Sequence, residues 1–221
     1  MGQKINPKGF RIGGVFGWDS RWYASGERYS TFVLEDDKIR KSMLEKLHRA
    51  GITKVEIERS INKINIILHV VRPGMVIGRG GQGMDEIKHY VTDLILSHRK
   101  KMGKAEKKAN LKIDLKVEPV KEPNLSAYFM ASQIADQLAK RLNHKRVVNF
   151  ALDKVMSSGA KGVKIILSGR IAGAEISRRE TYKKGSMPLS TLREEIDFVA
   201  LPSLTKSGYI GVKVWICKKS Q

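Results

Sequence analysis

A cluster of four glycines in the sequence VIGRGGQG, residues 76–83, constrains this chain more than any other feature. Glycine adopts positive φ and lets two backbone segments approach closely, so the cluster predicts a tight loop. A helix pattern follows at once, because Met84, Ile87 and Val91 recur at helical spacing. The free N–H groups of a helix's first turn favour an anion such as a phosphate, and Arg79 adds a positive charge inside the loop.

Two kinds of nucleotide-binding site share this pattern. Gly78, Gly80 and Gly83 match the dinucleotide motif G-x-G-x-x-G, which follows a strand directly and has an acid about 20 residues later. Here Pro73-Gly74 interrupts the preceding apolar run, and residues 98–101 are basic. The alternative is the GXXG loop of a KH module, which clamps nucleotide backbone and opens an amphipathic helix. A plain turn needs only one or two glycines. The predicted RNA-binding loop therefore consists of Gly78, Arg79, Gly80 and Gly81.

The charge balance points to a polyanionic partner. The 221 residues include 42 Lys and Arg against 22 Asp and Glu, a formal net charge of +20. RNA, DNA or an anionic membrane surface would compensate such an excess. Hydrophobic residues make up 41% of the chain, which is enough for packed cores, but no apolar run approaches the ~18 residues of a membrane span. The single cysteine, Cys217, excludes an internal disulfide and suggests a reducing compartment.

The order of periodic segments predicts an α+β protein in four parts. These are a basic tail at residues 1–16, a domain at 17–118, a linker at 119–123 with the sequence PVKEP, and a second domain at 124–221. The tail is expected either to become ordered against a partner or to remain a disordered terminus.

The first domain should run in the order helix, strand, strand, helix-loop-helix and strand, with the glycine loop between the paired helices. A helix beginning at Asp36 precedes strand patterns at 55–58 and 64–70, and the glycine loop and its helix come next. A very basic stretch at 99–108 then leads to a third strand at 111–117.

The second domain should pack two helices on one face of a mainly antiparallel sheet. A helix capped by Asn124 is followed by a second helix at 145–158. Strand patterns follow at 163–171, 180–187, 196–201 and 209–217.

Basic and aromatic residues outside the loop supply further candidate RNA contacts. Arg21 and Trp22 lie in an aromatic-rich segment that would either stack on bases or seal the next domain. Lys145 and Arg146 open the second domain's second helix, where their charges oppose the helix dipole, which favours a phosphate-facing role over a solvated one. Arg178 and Arg179 would face RNA or form part of an ordinary solvated surface.

Four separated phrases carry a resemblance that covers nearly the whole chain. They are MGQKINPKGFRIG, RPGMVIGRGG, SGRIAGAEISRRETYKKGSMPLSTLR and IGVKVWI. The chain resembles the family of small-subunit ribosomal protein three of bacteria and organelles. The resemblance implies an N-terminal type II KH domain, with a three-stranded sheet and helices on one face. It also implies a C-terminal α+β domain.

The resemblance further implies a function. Members of this family are structural constituents of the small-subunit head, bind ribosomal RNA and line the channel by which messenger RNA enters, where they contribute passively to its unwinding. The implied messenger RNA contacts are Arg141, Lys145 and Arg146. The implied ribosomal RNA contacts are Lys4, Lys8, Arg11, Arg21, Trp22, Arg170, Arg178 and Arg179.

The implied partners are small-subunit ribosomal RNA, messenger RNA and small-subunit ribosomal proteins ten and fourteen. The expected location is the small ribosomal subunit in the cytoplasm. This chain departs from the family twice. It has Asn149 where a third basic residue is common, and Arg79-Gly80 where two lysines are common. Each departure removes one positive charge.

Catalytic, metal and cofactor sites are not expected. The five histidines do not pair at ligand spacing, and the phosphate-loop, nucleophile-elbow and H-E-x-x-H motifs are absent from the sequence. No membrane association or small-molecule substrate is expected either. Two other hypotheses remain open: a free-standing KH regulator that exchanges on and off RNA, and a nuclease or lyase acting on nucleic acid.

Overall fold

The computed structural model of the chain describes residues 4–60, 63–101 and 112–219. It divides into two compact units. We call Trp18–Lys121 the inserted unit, because it interrupts a terminal unit formed by Met1–Gly17 and Glu122–Gln221. The change of unit between Lys121 and Glu122 falls inside the predicted linker, whereas residues 4–17 belong to the terminal unit rather than forming a separate tail.

The inserted unit is a four-stranded sheet with helices on one face. Its order is β1 (Ser20–Arg21), α1 (Glu27–Lys46), β2 (Ile52–Arg59), β3 (Lys63–Val70), α2 (Pro73–Ile77), α3 (Gln82–Lys101) and β4 (Lys112–Pro119). The strands lie in the order β1-β2-β3-β4, with β2 and β3 antiparallel and the outer pairs parallel. The three predicted strands are confirmed, and the two-residue β1 adds a fourth.

The core of the inserted unit lies between this sheet and the helices α1 and α3. Ile57 and Ile66 point from β2 and β3 toward Ile39 of α1 and Val91 of α3, and all four side chains are fully buried. Each such burial contributes about 1.5–3 kcal/mol. Because alternate strand residues share a face, the period of two in β3 directs Ile64, Ile66, Leu68 and Val70 inward.

The terminal unit packs two helices on one face of an antiparallel sheet, as predicted. Its elements are α4 (Ala127–Ala139), α5 (His144–Ser157), β5 (Gly162–Gly169), β6 (Arg178–Gly185), β7 (Ile196–Thr205) and β8 (Gly208–Cys217). The strand order is β6-β5-β8-β7, with every neighbouring pair antiparallel. Ile165 and Val214 of the sheet meet Ile134 of α4 and Val148 of α5 in one buried cluster. Within the described ranges, no helix is long and apolar enough to cross a membrane.

Arg11 fastens the N-terminal segment to the terminal unit. Its side chain is 2% exposed, and Nε donates to the carbonyl of Glu194 at 2.8 Å. Nη1 donates to Pro7 at 3.0 Å, and Nη2 donates to Leu189 and Thr191 at 2.9 Å each. The expectation that Arg11 binds RNA is therefore corrected, because its guanidinium is buried and used inside the chain.

Candidate nucleic-acid interface

The glycine loop joins α2 to α3 by a backbone path that requires glycine. Gly78, Gly80 and Gly81 have φ of 71°, 62° and 84°, in the left-handed region that side chains disfavour. A Cβ on Gly78 would lie only 2.9 Å from the backbone nitrogen of Gly83. Gly78, Arg79 and Gly80 are exposed, and Gly81 is half-buried. The predicted loop residues therefore lie together on the surface at the start of a long helix.

Gly83 has a structural role that the sequence motif alone did not reveal. It lies in the first turn of α3, and a Cβ there would come 2.7 Å from the carbonyl oxygen of Val76 in α2. Only a glycine lets the two helices approach this closely. The third glycine of the apparent dinucleotide motif thus serves helix packing.

Arg79 is the positive charge that the loop presents. Among the described residues, no side chain forms a hydrogen bond or ion pair with its guanidinium, and the residue is exposed. A planar guanidinium with five donors can bind phosphate oxygens in pairs. The loop can therefore supply an arginine and a close backbone approach to a nucleic-acid backbone.

A second candidate contact is the junction between α4 and α5. Asn143 caps α5, since its Oδ1 accepts the N–H of Lys145 at 3.0 Å. Lys145 and Arg146 follow in the first turn, which contains no acid, and both are exposed. These cations stand at the positive end of the helix dipole, where an anionic side chain would be more stable. Their position suits an external anion.

Arg141 occupies a strained position in the same junction. Its φ is 61°, and it ends α4 in a Schellman arrangement. The N–H of Leu142 donates to Gln137 at 3.2 Å, and the N–H of Arg141 donates to Leu138 at 2.9 Å. Glycine is the usual residue there, because the left-handed conformation costs other residues about 1–2 kcal/mol. An exposed arginine at this position suggests a use for its charge.

The α5 N-terminus is also tied to the neighbouring strand β6. Nε2 of His144 lies 3.2 Å from Oε2 of Glu180, to which Tyr182 donates its hydroxyl at 2.5 Å. Burial, and then the hydrogen bond to Glu180, raise the pKa of Tyr182 to about 12. The proximity of His144 to Glu180 places the first turn of α5, which presents Lys145 and Arg146, beside β6.

Arg21 and Trp22 are used within the inserted unit. Arg21 lies 3.4 Å from a carboxylate oxygen of Glu56. Trp22 donates its indole N–H to Asp36 at 2.8 Å, and its ring centroid lies 5.6 Å from those of Tyr29 and Phe32. Of the two interpretations of this aromatic segment, the structure favours a cluster that seals the domain.

The other predicted ribosomal RNA contacts do not form one surface. Arg178 and Arg179 are adjacent in β6 and therefore point to opposite faces of the sheet. Arg170 is exposed and donates from Nε to the carbonyl of Ala174 at 2.8 Å, within the loop after β5. Lys4 is exposed and Lys8 is half-buried in the N-terminal segment.

Two acidic residues in α1 lie in the protein interior. The carboxylate of Glu35 accepts hydrogen bonds from the guanidinium groups of Arg59 and Arg99, each at 2.7 Å. Arg59 also forms an ion pair with Asp36 at 2.6 Å. Burial opposes ionisation of Glu35, but the two guanidinium groups outweigh it and lower the pKa of its carboxyl. Arg99 is therefore a core ion-pair partner rather than part of an exposed basic stretch. Residues 102–108 of that stretch lie outside the described residues.

Metal ligands are not grouped in the part of the chain that the structure describes. No cluster of three or more His, Cys, Asp or Glu side chains there could hold an ion. Cys217 is buried, and burial, reinforced by the nearby Glu194 carboxylate, raises the pKa of its thiol, which makes it a poor nucleophile.

Comparison with known proteins finds a matching family model in each of the two units. The KH domain family matches residues 38–125, and the family described as ribosomal protein S3, C-terminal domain, matches residues 134–216. Small ribosomal subunit protein uS3 of Caldicellulosiruptor bescii is 43% identical over 218 residues, covering 99% of this chain and 92% of that protein.

Two further relatives have similar coverage. The uS3 protein of Clostridium novyi is 43% identical and covers 99% of this chain and 93% of its own length. That of Acetivibrio thermocellus is 44% identical and covers 99% of this chain and 90% of its own length.

Proposed function

The chain belongs to the family of small ribosomal subunit protein uS3, and we propose that it is a structural constituent of the small-subunit head. In that role it binds ribosomal RNA and lines the path by which messenger RNA enters the subunit. Small-subunit ribosomal proteins ten and fourteen are its proposed protein neighbours. The alternatives of a free-standing regulator or a nucleic-acid nuclease are less well supported, because the relatives that align over almost the whole chain are ribosomal proteins.

The observation that carries the messenger RNA assignment is the α4–α5 junction. Arg141, Lys145 and Arg146 present three exposed cations within six residues. One of them occupies a left-handed position that disfavours arginine, and two oppose a helix dipole. Each feature costs stability in the free chain, and a phosphate backbone would offset that cost.

The proposed contribution to unwinding is passive. The sequence contains no nucleotide-hydrolysis motif, so the junction would hold the phosphates of separated strands while translocation supplies the work. Asn149 is exposed one turn farther along α5 and adds no charge. The junction should therefore hold strands through the three cations alone.

The glycine loop and the N-terminal segment are the proposed ribosomal RNA contacts. Arg79 would pair with a phosphate while Gly78, Gly80 and Gly81 let the RNA backbone approach the loop. Lys4, which is exposed, would add a contact from the segment that Arg11 anchors.

The test is a double substitution, Lys145→Ala with Arg146→Ala, in small subunits reconstituted with the variant chain. Reading of messages that contain a stable hairpin should slow several-fold, while reading of unstructured messages and subunit assembly should stay close to normal. Lys38→Ala with Lys100→Ala is the matched control, since it removes two exposed charges from the inserted unit. Equal slowing on both kinds of message would refute the assignment.

A separate measurement tests whether the chain is an integral component. A tagged copy should remain at one per small subunit after a wash with roughly 0.5 M salt, at which simple charge attraction is largely screened. Release into the free fraction would instead favour the exchanging regulator.

A further inference from the structure

Among the described residues of the terminal unit, the two α-helices pack on the same face of the sheet. In the described part of this unit, α4 and α5 pack on the face formed by Val163, Ile165 and Leu167 of β5. Because strand residues alternate, Lys164, Ile166 and Ser168 point to the other side. We call this second surface the open face.

The open face gathers positive charge from three adjacent strands. Lys164 of β5 lies directly opposite Lys183 of β6, and Arg179 of β6 lies on the same face. On the other side, Lys213 of β8 pairs with Ile166, the next residue of β5 on this face. Since neighbouring strands are ~4.8 Å apart, these four side chains form one compact patch. Arg179, Lys183 and Lys213 are exposed, and Lys164 is half-buried.

Acidic side chains of the same strands are directed to the opposite side. Within the described residues, β5 to β8 contain two acids, Glu180 and Asp197. Glu180 contacts His144 of α5, and Asp197 accepts the N–H of Ala127 in α4 at 2.8 Å. The four cations of the open face therefore have no strand carboxylate beside them.

In the chain without a bound polyanion, the cations of the open face repel one another. Partial burial, followed by repulsion from Lys4, Lys183 and Arg179, lowers the pKa of Lys164. Ordinary protein surfaces intersperse both signs of charge, which relieves such repulsion. A like-charged patch with this geometry is explained by a polyanion that covers it.

An aromatic pair borders the same patch. Phe198 of β7 lies opposite Trp215 of β8, with ring centroids 4.8 Å apart. The Nζ of Lys164 lies 5.4 Å from the centre of the Trp215 ring. Aromatic rings beside cations on an exposed sheet surface are typical of contacts with nucleic-acid strands, where phosphates meet the cations and bases or sugars meet the rings.

We propose that the open face is an RNA-binding surface in which Lys164, Arg179, Lys183 and Lys213 contact consecutive stretches of phosphate backbone beside the Phe198–Trp215 pair. The inference deepens the proposed ribosomal RNA binding and is independent of the messenger RNA assignment at the α4–α5 junction. RNA is favoured over a protein partner because the four cations of the patch come from three adjacent strands without a strand carboxylate among them, and an aromatic pair lies beside them.

The first test measures RNA binding by the full chain carrying Lys164→Gln with Lys213→Gln. The probe is a single-stranded RNA of about 20 nucleotides, and its affinity is measured over a range of salt concentrations. Two lost phosphate contacts should lower the salt slope by about 1.4, at ~0.7 per contact on a single strand. Lys38→Gln with Lys100→Gln removes the same charge from exposed positions in α1 and α3 and should leave the slope unchanged. Equal slopes for the two variants would overturn the proposal.

A stability measurement excludes misfolding as the cause. Because partial burial, and then repulsion from neighbouring cations, disfavour the charged form of Lys164, its replacement by glutamine should not lower the thermal midpoint of the RNA-free chain. A variant that loses RNA affinity while keeping its midpoint supports the proposal. A variant that unfolds earlier would contradict the electrostatic argument on which it depends.

The second test identifies what covers the face in assembled small subunits. Lysine acetylation followed by mass spectrometry should find Lys164 and Lys213 protected in the subunit and reactive in the free chain. Formaldehyde should link them to nucleotides. Links to a protein, or full reactivity in the subunit, would overturn the RNA assignment. Protection should persist with Lys145→Ala and Arg146→Ala, so failure of the messenger RNA proposal would be distinguishable.

Discussion

Replacing Arg141 by glycine should make the terminal unit more stable and less active. Arg141 has φ of 61° in the turn that ends α4, and no side chain in the described residues pairs with its guanidinium. Glycine would remove the conformational penalty of about 1–2 kcal/mol that a left-handed residue with a side chain pays. Its greater freedom in the unfolded chain would offset about 0.4–1 kcal/mol of this stabilisation. The net stabilisation should be about 0.5–1 kcal/mol, which corresponds to a rise of roughly 2–6 °C in the thermal midpoint of a unit this size.

Arg141→Ala is the matched control, because it loses the same charge and keeps the left-handed strain. Its thermal midpoint should stay within about 1 °C of that of the unchanged chain. In reconstituted small subunits, both variants should slow the reading of hairpin-containing messages to a similar extent. Thermal unfolding and translation are therefore measured on the same three chains. A lower midpoint for Arg141→Gly would refute the strain argument, and normal reading of hairpins by both variants would refute the use of the charge.

Two further perturbations test the inserted unit. Glu35 has a lowered pKa when folded, so its stabilisation is complete above the ordinary value of 4.5 and is lost as the pH falls through the folded value. Glu35→Gln should lower the free energy of unfolding by about 3–5 kcal/mol at neutral pH, because Arg59 and Arg99 lose a buried charged partner. Hydrogen-exchange protection in β2 and β3 should then fall less steeply with decreasing pH than in the unchanged chain. Gly83→Ala should destabilise the same strands by about 2–3 kcal/mol through its clash with Val76, whereas Gly80→Ala, which has open space and only an unfavourable φ, should cost about 1–2 kcal/mol. A larger effect at Gly80 would contradict the packing role of Gly83.

Local patterns predicted the elements of this fold well. The glycine loop, the helix after it and the strand β3 follow from spacings of a few residues, and the structure contains each of them. The start of α1 was predicted nine residues too late, at Asp36 rather than Glu27. Its first turns reverse the usual pattern, with Val33 and Leu34 exposed and Glu35 buried. Arginines 24 and 64 residues away make that reversal stable, and periodicity alone does not reveal them.

Long-range contacts also decide which cations are free. The sequence assigns Arg11 and Lys4 to one basic tail, but Arg11 reaches carbonyls 178 to 183 residues away and is buried. Conversely, Lys164 and Lys213 become neighbours only when β5 and β8 pair. The alternation in β8 already places Lys213 opposite the apolar side of its strand, which was the available signal for the open face.

The long-range hydrogen bonds of Arg11 can form only late in the synthesis of the chain. Its acceptor at Glu194 is synthesised 183 residues later. At ~5–20 residues per second, roughly 10–40 s pass between the synthesis of Arg11 and the synthesis of its acceptor Glu194. The inserted unit can complete its own core during that interval. During most of synthesis, the N-terminal segment and its lysines are therefore not anchored by Arg11. The segment can take its final position only after the residues around Glu194 have been made.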